Sequence, residues 1–410
     1  MPTRKCRFCH TQVADTVVDL GMSPLSNSYI TVDQLNDKEV YYPLHTFVCP
    51  KCFLVQLEEF ASPDEIFSDY AYFSSYSDTW LTHARQYTEA MCERFAKINE
   101  KLVIEIASND GYLLQYFKAR GTPVLGIEPA GNVAQAAMAK GIPTLVSFFG
   151  RTLAQKLTSE GISAGLLLGN NVLAHVPDIN DFVAGMQIIL QKDGIITMEF
   201  PHLLKLMEDR QFDTIYHEHF SYLSFSTVEE IFDVHGLKVF DVEELSTHGG
   251  SLRVYACHAD HAEYALTERV TSMKDKEIAF GLNKIETYYT FAEKVKSLKF
   301  ELLEALVALK KQGKTIVGYG APAKGNTLLN YCGIRTDFIE YTVDRSPHKQ
   351  EKFLPGTHIP IFDPKKIRET QPDYVLILPW NIKDEIMEQL EYIKEWGGRF
   401  IVAIPAVEVL

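Results

Sequence analysis

At 410 residues the chain exceeds what one hydrophobic core ordinarily holds, so two to four domains are expected. Its composition, 46% hydrophobic and 23% charged, is that of a protein folded throughout, and a formal net charge of −14 weighs against a nonspecific nucleic-acid binder, which needs a basic stripe. No apolar run approaches the roughly 18 to 20 residues that span a bilayer, and the opening MPTRKCRFCH lacks a signal-peptide core, so neither nucleic acid nor membrane is an expected partner and a cytoplasmic location is expected.

Of the seven cysteines, four fall in two tight pairs, Cys6-x2-Cys9 and Cys49-x2-Cys52. Each two-residue spacer lets a turn aim two thiolates at one ion, and two such turns complete the closed tetrahedral sulfur site that structural zinc prefers. Such a site has no open position for water or substrate, so its task is folding. His10 and His45 are unnecessary as ligands, and Cys92, Cys257 and Cys332 read as core thiols. The intervening MSPLSNSYI and YYPLHTFV must form a small lobe around the ion.

A helical run through HARQYTEAMCERF leads to the apolar KLVIEIA, which breaks at SNDG and resumes as helix in YLLQYF. PVLGIEPA follows as a second strand ending in Glu128, then the helical NVAQAAMAKG. Strand, glycine-bearing loop, helix, strand and terminal acid form a Rossmann-type opening, in which loop backbone approaches a nucleoside and the acid accepts from ribose hydroxyls. The loop has Gly111 but Ala107 where glycine is usual, and lacks G-x-G-x-x-G, which favours a cofactor without a pyrophosphate. AGLLLGNNVLAHVPD reads as a buried strand ending in Asn170 and Asn171 with His175 just beyond, and GIITMEFP as another ending in Glu199. Asn109, Asp110, Glu128, Asn170, Asn171, His175 and Glu199 all map to carboxyl ends of strands, where open α/β sheets bind ligands.

The stretch FDTIYHEHFSYLSF sets His217 and His219 around Glu218, between Tyr216 and Tyr222. Two imidazoles can ligate metal, pass a proton or decorate a loop; two metal ligands seldom suffice, and no third is pinned to them by spacing. STHGGSLRVYACH follows, its Gly249 and Gly250 permitting close backbone approach beside His248.

From about 264 to 311 the sequence is helical, with Tyr288, Phe291 and Leu298 as core positions. KTIVGYGAPAKGNTLLNYCG then gives strand, glycine loop and helix, followed by the strand FIEYTVD ending in Asp344. Gly318, Gly320 and Gly325 allow backbone N–H groups to face an anion at a helix N-terminus, with Lys324 adding charge. PDYVLILPW and GRFIVAIP supply further buried strands.

VIEIASNDGYLLQYF, GIEP, NNVLAHVPD, YHEHFSY, THGGSLRVY, GYGAPAKGNTLL and the two cysteine pairs, in this order and across essentially the whole chain, resemble the S-adenosylmethionine-dependent C-methyltransferases that act at carbon 3 of nucleotide-linked 4-keto-6-deoxy sugars. The resemblance implies an α/β protein with a zinc-binding domain at 1–72, a Rossmann-like class I methyltransferase domain at 73–262, and a second Rossmann-like domain at 263–410 that helps to hold the nucleotide sugar. It implies one structural zinc on Cys6, Cys9, Cys49 and Cys52, and S-adenosylmethionine near Glu105, Ala107, Asn109, Asp110, Gly111, Glu128, Asn170 and Asn171. His219 is the implied base, with Glu218, Tyr216, Tyr222 and His175 around it and His217 as the alternative base. Tyr76, Glu199, His217, His248, Gly320, Lys324 and Asn326 are the expected sugar-nucleotide contacts. A nicotinamide-dependent sugar oxidoreductase, or a nonenzymatic zinc-knuckle scaffold, are the rival functions; the oligomeric state is left open, a monomer being compatible.

Overall fold

Strands buried on both faces need near-continuous apolar sequence, whereas strands with one open face alternate. Both patterns occur in the computed structural model, which describes residues 4–62, 65 and 73–410 and contains sheets of four, seven and six strands. The first begins as an antiparallel meander of β1 (Asp15–Ser23), β2 (Tyr42–Val48) and β3 (Val55–Leu57).

The central sheet opens with the parallel strands β4 (Val103–Ile106), β5 (Val124–Ile127) and β6 (Thr144–Leu145). β7 (Ala164–Asn170) crosses to the other side of β4, and β8 (Leu190–Pro201) follows in parallel. Every residue of β4 and β7 is buried, as their unbroken apolar runs require. The chain then leaves this sheet: β9 (Ser221–Tyr222) joins the first sheet, placing Tyr222 opposite Val55 and Ser221 opposite Gln56. It returns as the hairpin of β10 (Leu237–Leu245) and β11 (Ser251–His258), with β11 antiparallel to β8. The order β10-β11-β8-β7-β4-β5-β6 reverses direction between β4 and β7, and such a reversal opens a crevice at the carboxyl ends of the strands.

The helical region after the hairpin is three helices, Glu268–Phe280, Ile285–Tyr289 and Phe291–Lys311, the first ended by Gly281 in the left-handed conformation (φ 96°). Phe291, Val295, Leu298, Leu302 and Leu306 form the buried stripe of the long helix, and Tyr288 is buried beside it, as the spacing predicts. The third sheet comprises β12 (Ile316–Tyr319), β13 (Thr342–Val343), β14 (Ile361–Phe362), β15 (Tyr374–Ile377), β16 (Arg399–Val402) and β17 (Glu408–Val409), in the order β14-β13-β12-β15-β16-β17. All its neighbours are parallel except β16 and β17. FIEYTVD supplies only two ladder residues because the Phe338 and Ile339 N–H groups both donate to the Arg335 carbonyl in a turn (3.0 Å each).

The first sheet is the packing hub. Val18, Leu44 and Leu57 share one apolar core with Leu298, Leu302 and Ile316, while Cys6, Cys49 and Cys52 lie in another with Ile104, Leu167 and Phe200 of the central domain. Among the described residues no helix is long and apolar enough to cross a membrane.

Candidate active site

A cavity of about 500 Å³ lies where the two parallel sheets present their strand ends. One wall follows β4, β5 and β7, through Ala107, Asn109, Glu128, Asn170 and Asn171; the opposite wall follows β12, through Pro322, Ala323 and Lys324. His175, Tyr216, Glu218 and His248 lie on the wall between them.

The loop after β4 alternates into the left-handed region at Ala107 (φ 55°), Asn109 (φ 49°) and Gly111 (φ 76°). A Cβ on Gly111 would stand 2.9 Å from Ile142 Cγ1, so glycine is required there by both conformation and space. Glu128, just beyond β5, accepts from the N–H groups of Asn109 and Ala130 (2.9 Å each), which ties the two strand-end loops together. Burial raises its carboxyl and these N–H groups pull it back down. Asn170 Nδ2 donates to the Tyr112 hydroxyl (3.3 Å), and Asn171, also left-handed, anchors its N–H on the Glu199 carbonyl (2.7 Å).

Other expected cofactor residues support this wall without forming it. Glu105 is fully buried within β4, its carboxyl pushed well up by burial and by the nearby Glu128 and Asp110, against a lowering hydrogen bond from Tyr112. Asp110 is paired with Lys140 (3.0 Å).

The YHEH segment splits its two histidines. His217 turns to the first sheet, its Nε2 3.3 Å from the Pro43 carbonyl and its ring edge-on to Tyr42, so the two imidazoles do not converge on one ion. His219 turns the other way. Its ring lies 4.1 Å from that of Tyr216 and 4.6 Å from that of His175, directly behind the wall those two residues form. The threading of Phe220 brings this about: its N–H donates to the Ala174 carbonyl (2.8 Å) and its carbonyl accepts from Leu57 of the first sheet (3.0 Å). His219 Nδ1 donates to the Thr214 carbonyl (2.8 Å), which fixes the tautomer and leaves Nε2 as the lone-pair nitrogen. Nε2 has no protein partner among the described residues. Burial lowers His219 to about 4, opposed by Thr214 and helped by His248 and Lys324, so the ring is neutral at neutral pH. Tyr222 is buried behind His219, with ring centroids 6.2 Å apart, and does not reach the cavity wall.

Several expected substrate contacts lie elsewhere. Tyr76 is 54% exposed and packs near Phe73 and His348. Glu199 is buried among His83 (2.9 Å), Thr247 (2.9 Å) and Arg253 (2.7 Å); these partners overcome burial and hold it at about 2. Asn326 is buried and off the wall.

The glycine loop after β12 differs from the sequence expectation in its use of backbone. The Gly320 N–H donates to the Val343 carbonyl (2.7 Å) and the Ala321 N–H to the Asp344 carboxylate (2.8 Å), so both donors are already used within the protein and do not face a ligand anion. Gly320 instead permits a left-handed turn (φ 88°) against Pro379, and Gly325 lets its helix sit on Leu378. With Asp344 also accepting from Ser346 (2.8 Å), the loop is braced internally and is a poor dinucleotide cradle. Lys324 does reach the cavity, held by Asn381 (2.7 Å) and lying 4.7 Å over the Trp380 ring. Sequence reasoning passed over Asn27, Trp80, Phe149 and Lys349, which also line the cavity. Only Trp80 carried a local signal, the helix start at Ser77, whose side chain caps the Trp80 N–H.

At the other end of the first lobe the four sulfur atoms of Cys6, Cys9, Cys49 and Cys52 all lie within 4.8 Å of one another. Cys6 and Cys52 are 3.6 Å apart and Cys9 and Cys49 3.5 Å. Thiolates about 2.3 Å from a common tetrahedral ion lie roughly 3.8 Å apart, so the set fits zinc. Both knuckles use one turn design: the Cys6 and Cys49 carbonyls accept from His10 and Phe53 (3.0 Å each), which are left-handed at φ 59° and 57°. No other group of three or more potential metal-ligating side chains occurs among the described residues.

A zinc knuckle, a class I methyltransferase sheet and a second Rossmann-like sheet facing one cavity agree with the matches to known proteins. A zinc binding domain matches residues 6–67, a methyltransferase domain 81–242, and a C-methyltransferase C-terminal domain 246–405. The chain is 35% identical over 410 residues to the C-methyltransferase NovU of Streptomyces niveus, covering 100% of this chain and 97% of that one. Similar solved structures include the magnesium protoporphyrin IX methyltransferase of Synechocystis PCC 6803 (15% identity, TM-score 0.34, 44% of this chain and 82% of that one). Another is the PH0226 protein of Pyrococcus horikoshii OT3 (14% identity, TM-score 0.38, 48% and 99%). The chain belongs to the S-adenosylmethionine-dependent C-methyltransferase family with a zinc-binding N-terminal domain and a C-methyltransferase C-terminal domain. Its methyl donor is S-adenosylmethionine, and one zinc belongs to the cysteine cluster.

Proposed function

We propose that the enzyme methylates carbon 3 of a nucleotide-linked 4-keto-6-deoxy sugar, with His219 as the base. A ketone at carbon 4 acidifies the carbon-3 proton, and the enolate left by its removal is the carbon nucleophile that C-methylation needs. S-adenosylmethionine supplies the electrophilic methyl group. The observation that carries this reading is His219 itself: a neutral imidazole with Nδ1–H fixed on Thr214 and Nε2 without a partner among the described residues, immediately behind Tyr216 and His175. Tyr216 can donate to the enolate oxygen, and Lys324 and Lys349 supply cavity cations suited to a diphosphate. On the opposite wall Glu128, Asn109 and Asn170 suit the ribose and amino-acid ends of the methyl donor.

The test uses 4-keto-6-deoxyglucose linked through diphosphate to thymidine, uridine, guanosine or cytidine. In deuterated water, with a nontransferable S-adenosylmethionine analogue, the wild type exchanges the carbon-3 proton of the accepted sugar, while His219→Asn binds both ligands and exchanges about a hundred- to ten-thousandfold more slowly. Exchange at the wild-type rate in His219→Asn, with loss in His175→Ala or His217→Ala, reassigns the base. Failure of every sugar in the panel overturns the substrate class.

A further inference from the structure

The zinc-bearing lobe contributes a side chain to the cavity. Its segment 24–30 follows β1 and is fixed from several directions. Ile30 and Phe353 exchange backbone hydrogen bonds in both directions (3.0 and 2.8 Å), and Glu39 accepts from the Gly356 N–H (2.8 Å) while pairing with His358. The Tyr29 hydroxyl donates to the Ala321 carbonyl (2.6 Å), at the start of the C-terminal glycine loop. Two residues before Tyr29, Asn27 enters the cavity wall, and its Nδ2 donates to Glu218 Oε1 (2.5 Å) across 191 residues of sequence. A carboxylate only accepts, so the Asn27 amide must present its NH2 to Glu218, which leaves Oδ1 on the side of the Tyr29 hydroxyl (3.2 Å).

We propose that Asn27 is a positioning residue for Glu218: the zinc lobe, docked on the C-terminal domain, holds the carboxylate of the central domain's YHEH segment in its working orientation. A charge-assisted hydrogen bond restricts the carboxylate more strongly than a neutral one, and Asn27 is itself held through the Ile30–Phe353 and Tyr29–Ala321 links. The inference rests on the proposed function and adds to it a part in methyl transfer for Glu218, which lines the cavity beside Tyr216.

The test is a double-mutant cycle with S-adenosylmethionine and whichever sugar nucleotide of the panel accepts methyl, on full-length variants whose zinc content and thermal midpoint match the wild type. Asn27→Ala lowers kcat about ten- to a hundredfold, the range for loss of a hydrogen bond to a charged group, with the KM for S-adenosylmethionine unchanged. In a Glu218→Gln background the same change costs little more, because the partner it positions is already altered. Asn27→Asp, nearly isosteric but repelling Glu218, is at least as damaging as Asn27→Ala; a space-filling role predicts the opposite order. Equal loss from Asn27→Ala in both backgrounds, or a clear advantage of Asp over Ala, overturns the positioning role and leaves Glu218 standing. Full turnover in Glu218→Gln alone overturns the part assigned to Glu218, and the role of Asn27 with it.

Discussion

Burial keeps the His219 imidazole, the proposed base, unprotonated across the physiological range. Taking a proton inactivates a general base, so activity falls as pH drops through its pKa, here about 4 and well below the ordinary imidazole range. With His219 as the base, the acid limb of kcat/KM for the sugar lies near pH 4 in a pH–rate series; a limb near 6.5 would assign the titration to a solvated histidine. Glu199 shows the other use of a buried group at this scale. It faces Arg253 directly across the β8–β11 register, and Glu199→Ala leaves that buried guanidinium without its main counter-charge. A loss of about 3–5 kcal/mol is expected by urea denaturation, while Glu243, only half-buried and farther from Arg253 (3.4 Å), compensates little. The sequence announced both residues by type and place at strand or loop ends. It could not say that Glu199 turns to Arg253 and His83 while His219 turns to His175, because side-chain direction depends on partners distant in sequence, 54 residues away for Arg253 and 116 for His83.

Elements whose pattern is local were legible, and those completed by distant partners were not. β4 and β7 read as buried parallel strands because both faces are covered, and the stripe of helix Phe291–Lys311 follows its own spacing. β9, two residues long, has no periodicity to read and exists only because β3 offers it an edge. The glycine loop after β12 misled because glycines serve close packing as readily as anion binding, and Pro379 and Leu378 are invisible in the motif itself. The loop after β4 makes a sharper prediction. Its left-handed turns are tied to β5 through Glu128, so Glu128→Ala removes the expected ribose acceptor and frees the Asn109 N–H together. Calorimetry is expected to show S-adenosylmethionine binding weakened about tenfold or more, with sugar-nucleotide binding nearly unchanged. Equal weakening of both ligands would mean that the whole cavity had collapsed.

On the scale of the whole molecule, the three modules are consecutive in sequence but interlocked in space. The zinc lobe shares apolar cores with both larger sheets, so stripping the metal is expected to do more than melt one lobe. Cys49→Ser lowers bound zinc from one ion per chain and lowers the thermal midpoint of the entire protein, read by metal analysis and calorimetry on the same sample. An unchanged main transition with only a small separate one lost would show the lobe to be autonomous. The pairing of β3 with β9 has a further consequence while the protein is being made. At about 5 to 20 residues per second, the ribosome needs roughly 8 to 30 seconds to extend the nascent chain from Leu57 to Ser221. Throughout that interval β3 is an open, apolar sheet edge, the kind of surface that recruits wrong partners. Synthesis therefore passes through a window in which the newborn lobe depends on dilution or a chaperone, and the window closes when the segment carrying the proposed base emerges.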